Sequence, residues 1–240
     1  MSLGQARRLV VIGAGAAGVF GALACAEANP DLDIHIFEAG REPLTKVRIS
    51  GGGRCNVTHA CFDPAQLVTH YPRGSKALRG AFSRFQPRDT VQWFQQRGVA
   101  LKTEADGRMF PTTDDSGTII DCLLGEARRL GIHLHTGSPV RRIERAGPGF
   151  LVSTTGDISP DRIRAQGQAS SLAADLAAER ILLATGSSPA GFRLAISLGH
   201  TIVPPVPSLF TFNIQDAALQ GLAGIAVEPV ELVLKIQGEK

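Results

Sequence analysis

Four apolar residues at 9–12 run directly into the small-residue turn Gly13-Ala14-Gly15-Ala16-Ala17-Gly18. A helix pattern of small residues follows, and a second apolar run at 34–37 ends in Glu38. Strand, glycine turn, helix, strand and acid in this order form the dinucleotide-binding βαβ fingerprint. Gly13 permits the tight turn off the strand. Gly15, without a Cβ, lets a pyrophosphate approach the backbone, and Gly18 lets the helix pack close to the sheet. The helix N-terminus offers free N–H groups and partial positive charge to phosphates. Glu38 stands where an acid accepts hydrogen bonds from a ribose diol. A rival pattern overlaps these residues: Arg7 and Arg8 precede an uncharged run to Ala26, as in a signal peptide or short membrane span. Glycines at 13, 15, 18 and 21, and the low density of Leu, Ile and Phe, favour the nucleotide reading.

Residues 39–58 read as a loop dense in Gly, Arg and Ser, centred on Lys46-Val-Arg48-Ile-Ser50-Gly51-Gly52-Gly53-Arg54-Cys55-Asn56. Three consecutive glycines are costly to order. A plain linker would not interleave them with Ile49, Val57 and such specific polar residues. The pattern therefore predicts a second backbone-approach loop, whose N–H groups, Lys46, Arg48 and Arg54 face a long anionic cofactor. Helical periodicity covers 64–98, with Gly98 as a stop and Trp93 and Phe94 as core residues. A strand and turn over 100–110 follow, with Asp106-Gly107 as the turn. The helix over 118–130 has Ile119, Ile120, Leu123, Leu124, Ala127 and Leu130 on one face, Ser116 as its cap and Gly131 as its end.

Residues 132–136, 140–144 and 150–154 are strand-like, with His133 and His135 alternating on what reads as a solvent face. The polar, Ala-rich stretch 156–179 predicts a hairpin tip or surface insertion. The apolar run 180–183 then enters Ala184-Thr185-Gly186. In a doubly wound sheet this turn lies at the carboxyl ends of the strands, where ligands bind. A helix over 189–198 ends at Gly199. From His200 the texture changes to prolines among β-formers at 202–214 and alternation at 230–237, the expected start of another, β-rich domain.

The chain has 240 residues, enough for one large domain or two small ones, with ordinary apolar and charged fractions. The formal net charge of +3 is concentrated in 41–97, where Lys and Arg far outnumber Glu42, Asp63 and Asp89. Over 73–97 this reads as solvated helix faces rather than an anion-facing surface. It lacks the interleaved aromatics of a nucleic-acid platform. Four cysteines form no CxxC pair and no zinc spacing, which argues against a dithiol–disulfide reductase. Cys25 and Cys122 read as packing residues, and the setting as reducing cytoplasm.

These motifs together resemble the BaiN-like NAD(P)/FAD-dependent oxidoreductase family, also described as an aminoacetone oxidase family. The carriers are GAGAAG at 13–18, KVRISGGGRCNVT at 46–58, EADGRMFP at 104–111, LLATG at 182–186 and LGH at 198–200. The second block is the specific one; the first and fourth occur in many flavoproteins. The resemblance implies an α/β fold: a Rossmann-like, glutathione-reductase-like FAD-binding domain over 1–198, then an incomplete β-rich domain over 199–240. It implies that Gly13, Ala14, Gly15, Ala17 and Gly18 hold the pyrophosphate, with Ala16 and Ala39 in the same cofactor-binding set, and that Glu38 holds the ribose. Arg41, Lys46, Ser50, Gly51, Gly52, Gly53, Arg54, Cys55 and Asn56 would line the flavin side. Val140 would meet the adenine through its backbone, and Ala184, Thr185 and Gly186 would close over the cofactor.

Three features depart from the family pattern. Residues 187–195 are shorter and lose most of the family's glycines, His59 stands where the family often has Asn, and the chain is far shorter than family members. The expected function is FAD-dependent oxidation–reduction by hydride transfer on a small organic substrate. NAD(P)H would serve as a transient donor, because no second nucleotide fingerprint is present. Neither a nucleic-acid partner nor a membrane partner is expected. No paired carboxylates or Ser-His-Asp set supply an alternative chemistry, and a catalytic residue is not assigned. Cys55 is the one chemically versatile side chain beside the expected flavin, with a structural role at least as well supported. The competing class is a truncated dinucleotide-binding module with little or no activity.

Overall fold

The computed structural model describes residues 7–155, 173–206 and 231. The chain divides into two units, Met1–Val203 and Pro204–Lys240. The architecture below is that of the first. The strands expected over 207–214 and 230–237 lie outside the described residues, apart from Glu231, and 201–206 is irregular. In chain order the elements are β1 (Arg8–Ile12), α1 (Ala16–Ala28), β2 (Asp33–Phe37), α2 (Thr45–Ile49), β3 (Thr58–His59), α3 (Pro64–Leu67), α4 (Ser75–Phe82), α5 (Pro87–Gln95), β4 (Leu101–Thr103), β5 (Arg108–Pro111), α6 (Ser116–Arg129), β6 (His133–His135), β7 (Val140–Ala146), β8 (Gly149–Thr155), β9 (Ala173–Ala178), β10 (Arg180–Leu183) and α7 (Pro189–Ser197).

Four strands form a parallel sheet in the order β10-β1-β2-β6. The central β1 and the edge β10 carry successive apolar positions because both faces are covered, whereas β2 and β6 interleave Asp33, His35, His133 and His135 with apolar residues. Leu9, Val11, Ile34 and Ile36 pack with Val19, Ala22 and Leu23 of α1, Trp93 and Phe94 of α5, and Ile119, Ile120 and Leu123 of α6. Val10, Ile12 and Phe37 pack instead with Val140, Ile143, Val152 and Ala178 of an antiparallel meander β7-β8-β9, and with Leu194 of α7. One face of the sheet carries helices and the other a meander with α7 beside it, in place of the helix layers on both faces of a doubly wound fold. A smaller antiparallel sheet, β3-β5-β4, carries the expected Asp106-Gly107 turn between β4 and β5.

Arg97 fastens the helical layer. Its guanidinium lies 3.8 Å over the Trp93 ring, donates to Glu126 Oε2 at 3.0 Å, and pairs with Glu27 of α1. A planar, delocalised cation can stack and form ion pairs at once.

Four expectations are corrected. The loop 39–58 contains a short helix, α2, followed by a tight turn over 50–53. The cap of α6 is Asp115, whose side chain accepts from Gly117 N; Ser116 is buried and donates to Arg48 O at 2.9 Å, joining α6 to α2. Of the stretch 156–179, residues 156–172 lie outside the described residues, and 173–178 is not a tip but β9, the third strand of the meander. His135 does not lie on a solvent face, whereas His133 is partly exposed as expected. His135 Nε2 lies 2.9 Å from Nδ1 of the buried His35, and burial, reinforced by His35 and His133, holds the His135 ring down to about 4.

Leu23 is fully buried between α1 and the sheet. Leu23→Ala is expected to lower the unfolding free energy by about 2–5 kcal/mol in urea titrations. Ile196→Ala, at an exposed position on α7, is expected to stay within about 0.5 kcal/mol.

Candidate functional site

The carboxyl ends of β1, β2 and β10 meet at the glycine turn. Gly13 takes a left-handed φ of +104°, and a Cβ there would sit 2.6 Å from Ala184 O. A Cβ on Gly18 would sit 1.9 Å from Gly13 O. Both positions therefore exclude side chains, one by close contact with the turn after β10 and the other by close contact of α1 with its own entry loop. Gly15 differs: its φ of −80° is open to any residue, and a Cβ there would meet nothing within 4 Å. Its missing side chain faces space rather than protein. The first N–H groups of α1 have no partners within the helix and open onto the same end.

Glu38 ties this loop together. Its Oε2 accepts from Ala14 N and its Oε1 from Gly40 N, each at 2.8 Å. A carboxylate has about four lone-pair sites, so both oxygens retain capacity for ribose hydroxyls. Ala14 O in turn accepts from Leu44 N at 2.8 Å. Leu44 is buried with φ of +58°, a costly conformation for a branched side chain, held by packing against the helical core. Nothing in the sequence around Leu44 signals that role.

The glycine–arginine block is ordered as a left-handed turn. Gly51, Gly52 and Gly53 have φ of +57°, +70° and +89°, and Cys55 continues at +64°. Gly51 is required by contact, since a Cβ would meet Phe110 Cε1 at 2.6 Å and Asn56 N at 2.9 Å. Cβ atoms on Gly52 and Gly53 would meet nothing within 4 Å. Arg54 points to protein: it pairs with Glu104 and Asp114 and lies 4.0 Å over the Phe110 ring. It fastens the turn to β5 and its flanks. Cys55 is buried, its N–H donates to Ser50 O, and burial pushes its thiol above the ordinary range despite a hydrogen bond with Ser50. That is the environment of a packing thiol, not of a reactive thiolate.

The structure brings Lys46 to the turn after β10: a Cβ on Gly186 would lie 3.7 Å from Lys46 Nζ. Thr185 packs against Gly191 so closely that a Cβ there would overlap its Oγ1 at 1.8 Å, which makes Gly191 a supporting residue of this turn. Ala16, Ala17, Ala39, Arg41 and Asn56 are exposed. Val140 opens β7 in the second core, beside the buried Ser138, whose N–H donates to Glu38 O. His59 of β3 bonds Asp106 O at 3.0 Å and covers Gly107, so it serves the β4–β5 turn.

A family model described as the HI0933-like protein Rossmann domain matches residues 7–235. The chain belongs to this family. Among curated relatives it is 27% identical over 229 residues to a 3-dehydro-bile acid delta(4,6)-reductase of Clostridium scindens, covering 92% of this chain and 51% of that protein. It is 26% identical over 232 residues to a ribosomal RNA dihydrouridine synthase of Escherichia coli, covering 92% and 52%. The chain thus spans about half the length of these relatives. Among solved structures, 3-ketosteroid-delta4-(5alpha)-dehydrogenase from Rhodococcus jostii shares the fold, with a TM-score of 0.51 at 13% identity over 75% of this chain and 47% of that one. THI4 of Thermovibrio ammonificans shares it as well, with a TM-score of 0.50 at 10% identity over 80% and 62%. The fold of this family member is a Rossmann-like FAD-binding domain, as the resemblance implied.

The buried Cys55 thiol is expected to react with iodoacetamide roughly tenfold or more slowly than the less buried Cys61 in the native protein, and at a comparable rate once unfolded. Peptide mapping of timed reactions gives both rates.

Proposed function

We propose that the protein is an FAD-dependent oxidoreductase whose nucleotide loop, glycine–arginine turn and Ala184–Thr185–Gly186 turn enclose the cofactor. The observation that carries this reading is the contrast among three glycines. Gly13 and Gly18 are glycine because protein backbone is in the way, whereas Gly15 faces open space at a helix N-terminus. At a helix N-terminus this open position leaves room for close approach by a pyrophosphate. Glu38 is already oriented by two backbone N–H groups to receive ribose hydroxyls. Lys46, near Gly186, supplies a cation toward the phosphate or flavin side.

When bound, the flavin supplies two-electron hydride chemistry that no side chain of this chain provides. Arg54 and Cys55 shape the turn beside it and take no chemical part. We propose NAD(P)H as a transient electron donor to the flavin. The names of the two relatives share one type of reaction: addition of hydrogen across a carbon–carbon double bond conjugated to a carbonyl. We infer that class here, with a small conjugated ketone as the leading substrate. The two dihydrouridine synthases among the relatives favour a second reading, a uracil ring presented in RNA. In that reading the partner is a nucleic acid.

Gly15→Val tests the cofactor site cleanly, because the substitution strains neither backbone nor neighbours. The variant is expected to keep the wild-type circular dichroism spectrum and to lose FAD retention. Wild-type flavin content in the folded variant would overturn the reading. For the substrate, flavin reduced without oxygen is expected to be reoxidised by a conjugated steroidal ketone. Reoxidation by unmodified ribosomal RNA alone would select the second reading.

A further inference from the structure

Away from the nucleotide loop, the sheet gathers a second set of donor atoms. Asp33 and His35 lie two apart on β2, and His133 and His135 lie two apart on β6, so each pair projects from one face. The parallel register sets His35 beside His133 and Phe37 beside His135. Asp33 Oδ1 is 2.9 Å from His35 Nε2 and 3.8 Å from His133 Nε2. One donor atom from each of Asp33, His35 and His133 lies within 4.8 Å of the others. Around a tetrahedral Zn²⁺ with bonds of about 2.0–2.1 Å, ligand atoms stand roughly 3.3–3.4 Å apart. Closing the set therefore takes side-chain shifts of about an ångström.

We propose that Asp33 Oδ1, His35 Nε2 and His133 Nε2 form a binding site for a borderline divalent transition metal such as Zn²⁺, with the fourth position open to water. The surroundings fit that use. Arg8 donates to Asp33 Oδ2 at 2.7 Å and leaves Oδ1 for the ion. His35 Nδ1 faces His135 Nε2 at 2.9 Å. Without metal, Nε2 of His35 donates to Asp33 and Nδ1 accepts from His135. With metal on Nε2, the His35 proton sits on Nδ1 and donates to His135, which takes the complementary tautomer. No proton is lost, and the outer hydrogen bond fixes the ring, as metal-ligating histidines require.

Access follows from topology. β6 is an edge strand, and the His133 side chain is 38% exposed while that of His35 is 8% exposed. The ion would reach an open imidazole first and a rigid, buried one second. Two nitrogens and one oxygen suit Zn²⁺, Co²⁺ or Ni²⁺, whereas Mg²⁺ and Ca²⁺ require more oxygen ligands. Asp33 is five residues before Glu38 on the same chain run, roughly 16 Å along the strand direction. Metal uptake can thus be read independently of any flavin.

The test is calorimetric titration of the chelator-treated full chain with Zn²⁺. One saturable Zn²⁺ per chain is expected, unaffected by excess Mg²⁺ and retained when His59, His70 and His200 are all changed to Ala. His133→Ala and His133→Gln are expected to remove it. His135→Phe, which deletes the outer hydrogen bond, is expected to weaken it by roughly 10–100-fold. Circular dichroism confirms that each variant is folded. Absence of saturable uptake by the wild type overturns the proposal, and so does wild-type uptake by both folded His133 variants.

Discussion

The fold turns on close approach of backbones at the glycine turn. Gly13 and Gly18 bring the entry loop of α1 against itself, and Gly13 brings it against Ala184 after β10. No side chain can be added at either glycine without moving backbone. This places a helix N-terminus where three parallel strands end. Glu38 then locks the loop from the end of β2 by accepting from Ala14 and Gly40. Electrostatics and close packing thus act on the same few atoms. The open position at Gly15 has meaning only because its neighbours are so tightly constrained.

The two faces of the sheet divide the labour. One face buries an apolar layer under α1, α5 and α6, which fixes the axis of α1 and so the direction of its free N–H groups. The other carries Val10, Ile12 and Phe37 under the meander and also the polar group Asp33, His35, His133 and His135. Burying such polar side chains is costly unless each finds a partner. Here Arg8 offsets the effect of burial on Asp33: burial pushes the carboxyl up, while Arg8 and His35 together hold it below its ordinary value. The same parallel sheet therefore orders the proposed cofactor site at one end and a donor cluster nearer the other.

The local signals in the sequence carried far. Glycine spacing, flanking apolar runs and the terminal acid are short-range features, and they located β1, α1, β2 and the β10 turn. Helix periodicity located α5 and α6 with Trp93 and Phe94 in the core. Long-range pairing was not readable. The run 173–178 is rich in Ala, a helix former, yet pairing with β8 makes it a strand. His35 and His135 are 100 residues apart, and only the register of β2 with β6 turns their alternation inward. Arg54 reads as a free cation until Glu104 and Asp114 come beside it. Leu44 carries no signal for a left-handed backbone, because its conformation is imposed by the core around it.

If this loop system holds FAD, the protein as purified carries or takes up that nucleotide. Denaturing the freshly purified protein and identifying the released nucleotide by chromatography and mass spectrometry tests it most directly. FAD is expected, released in proportion to protein, or taken up to that proportion when FAD is added before denaturation. Release of NAD in its place, or failure to retain any flavin after exposure to excess FAD, would contradict it.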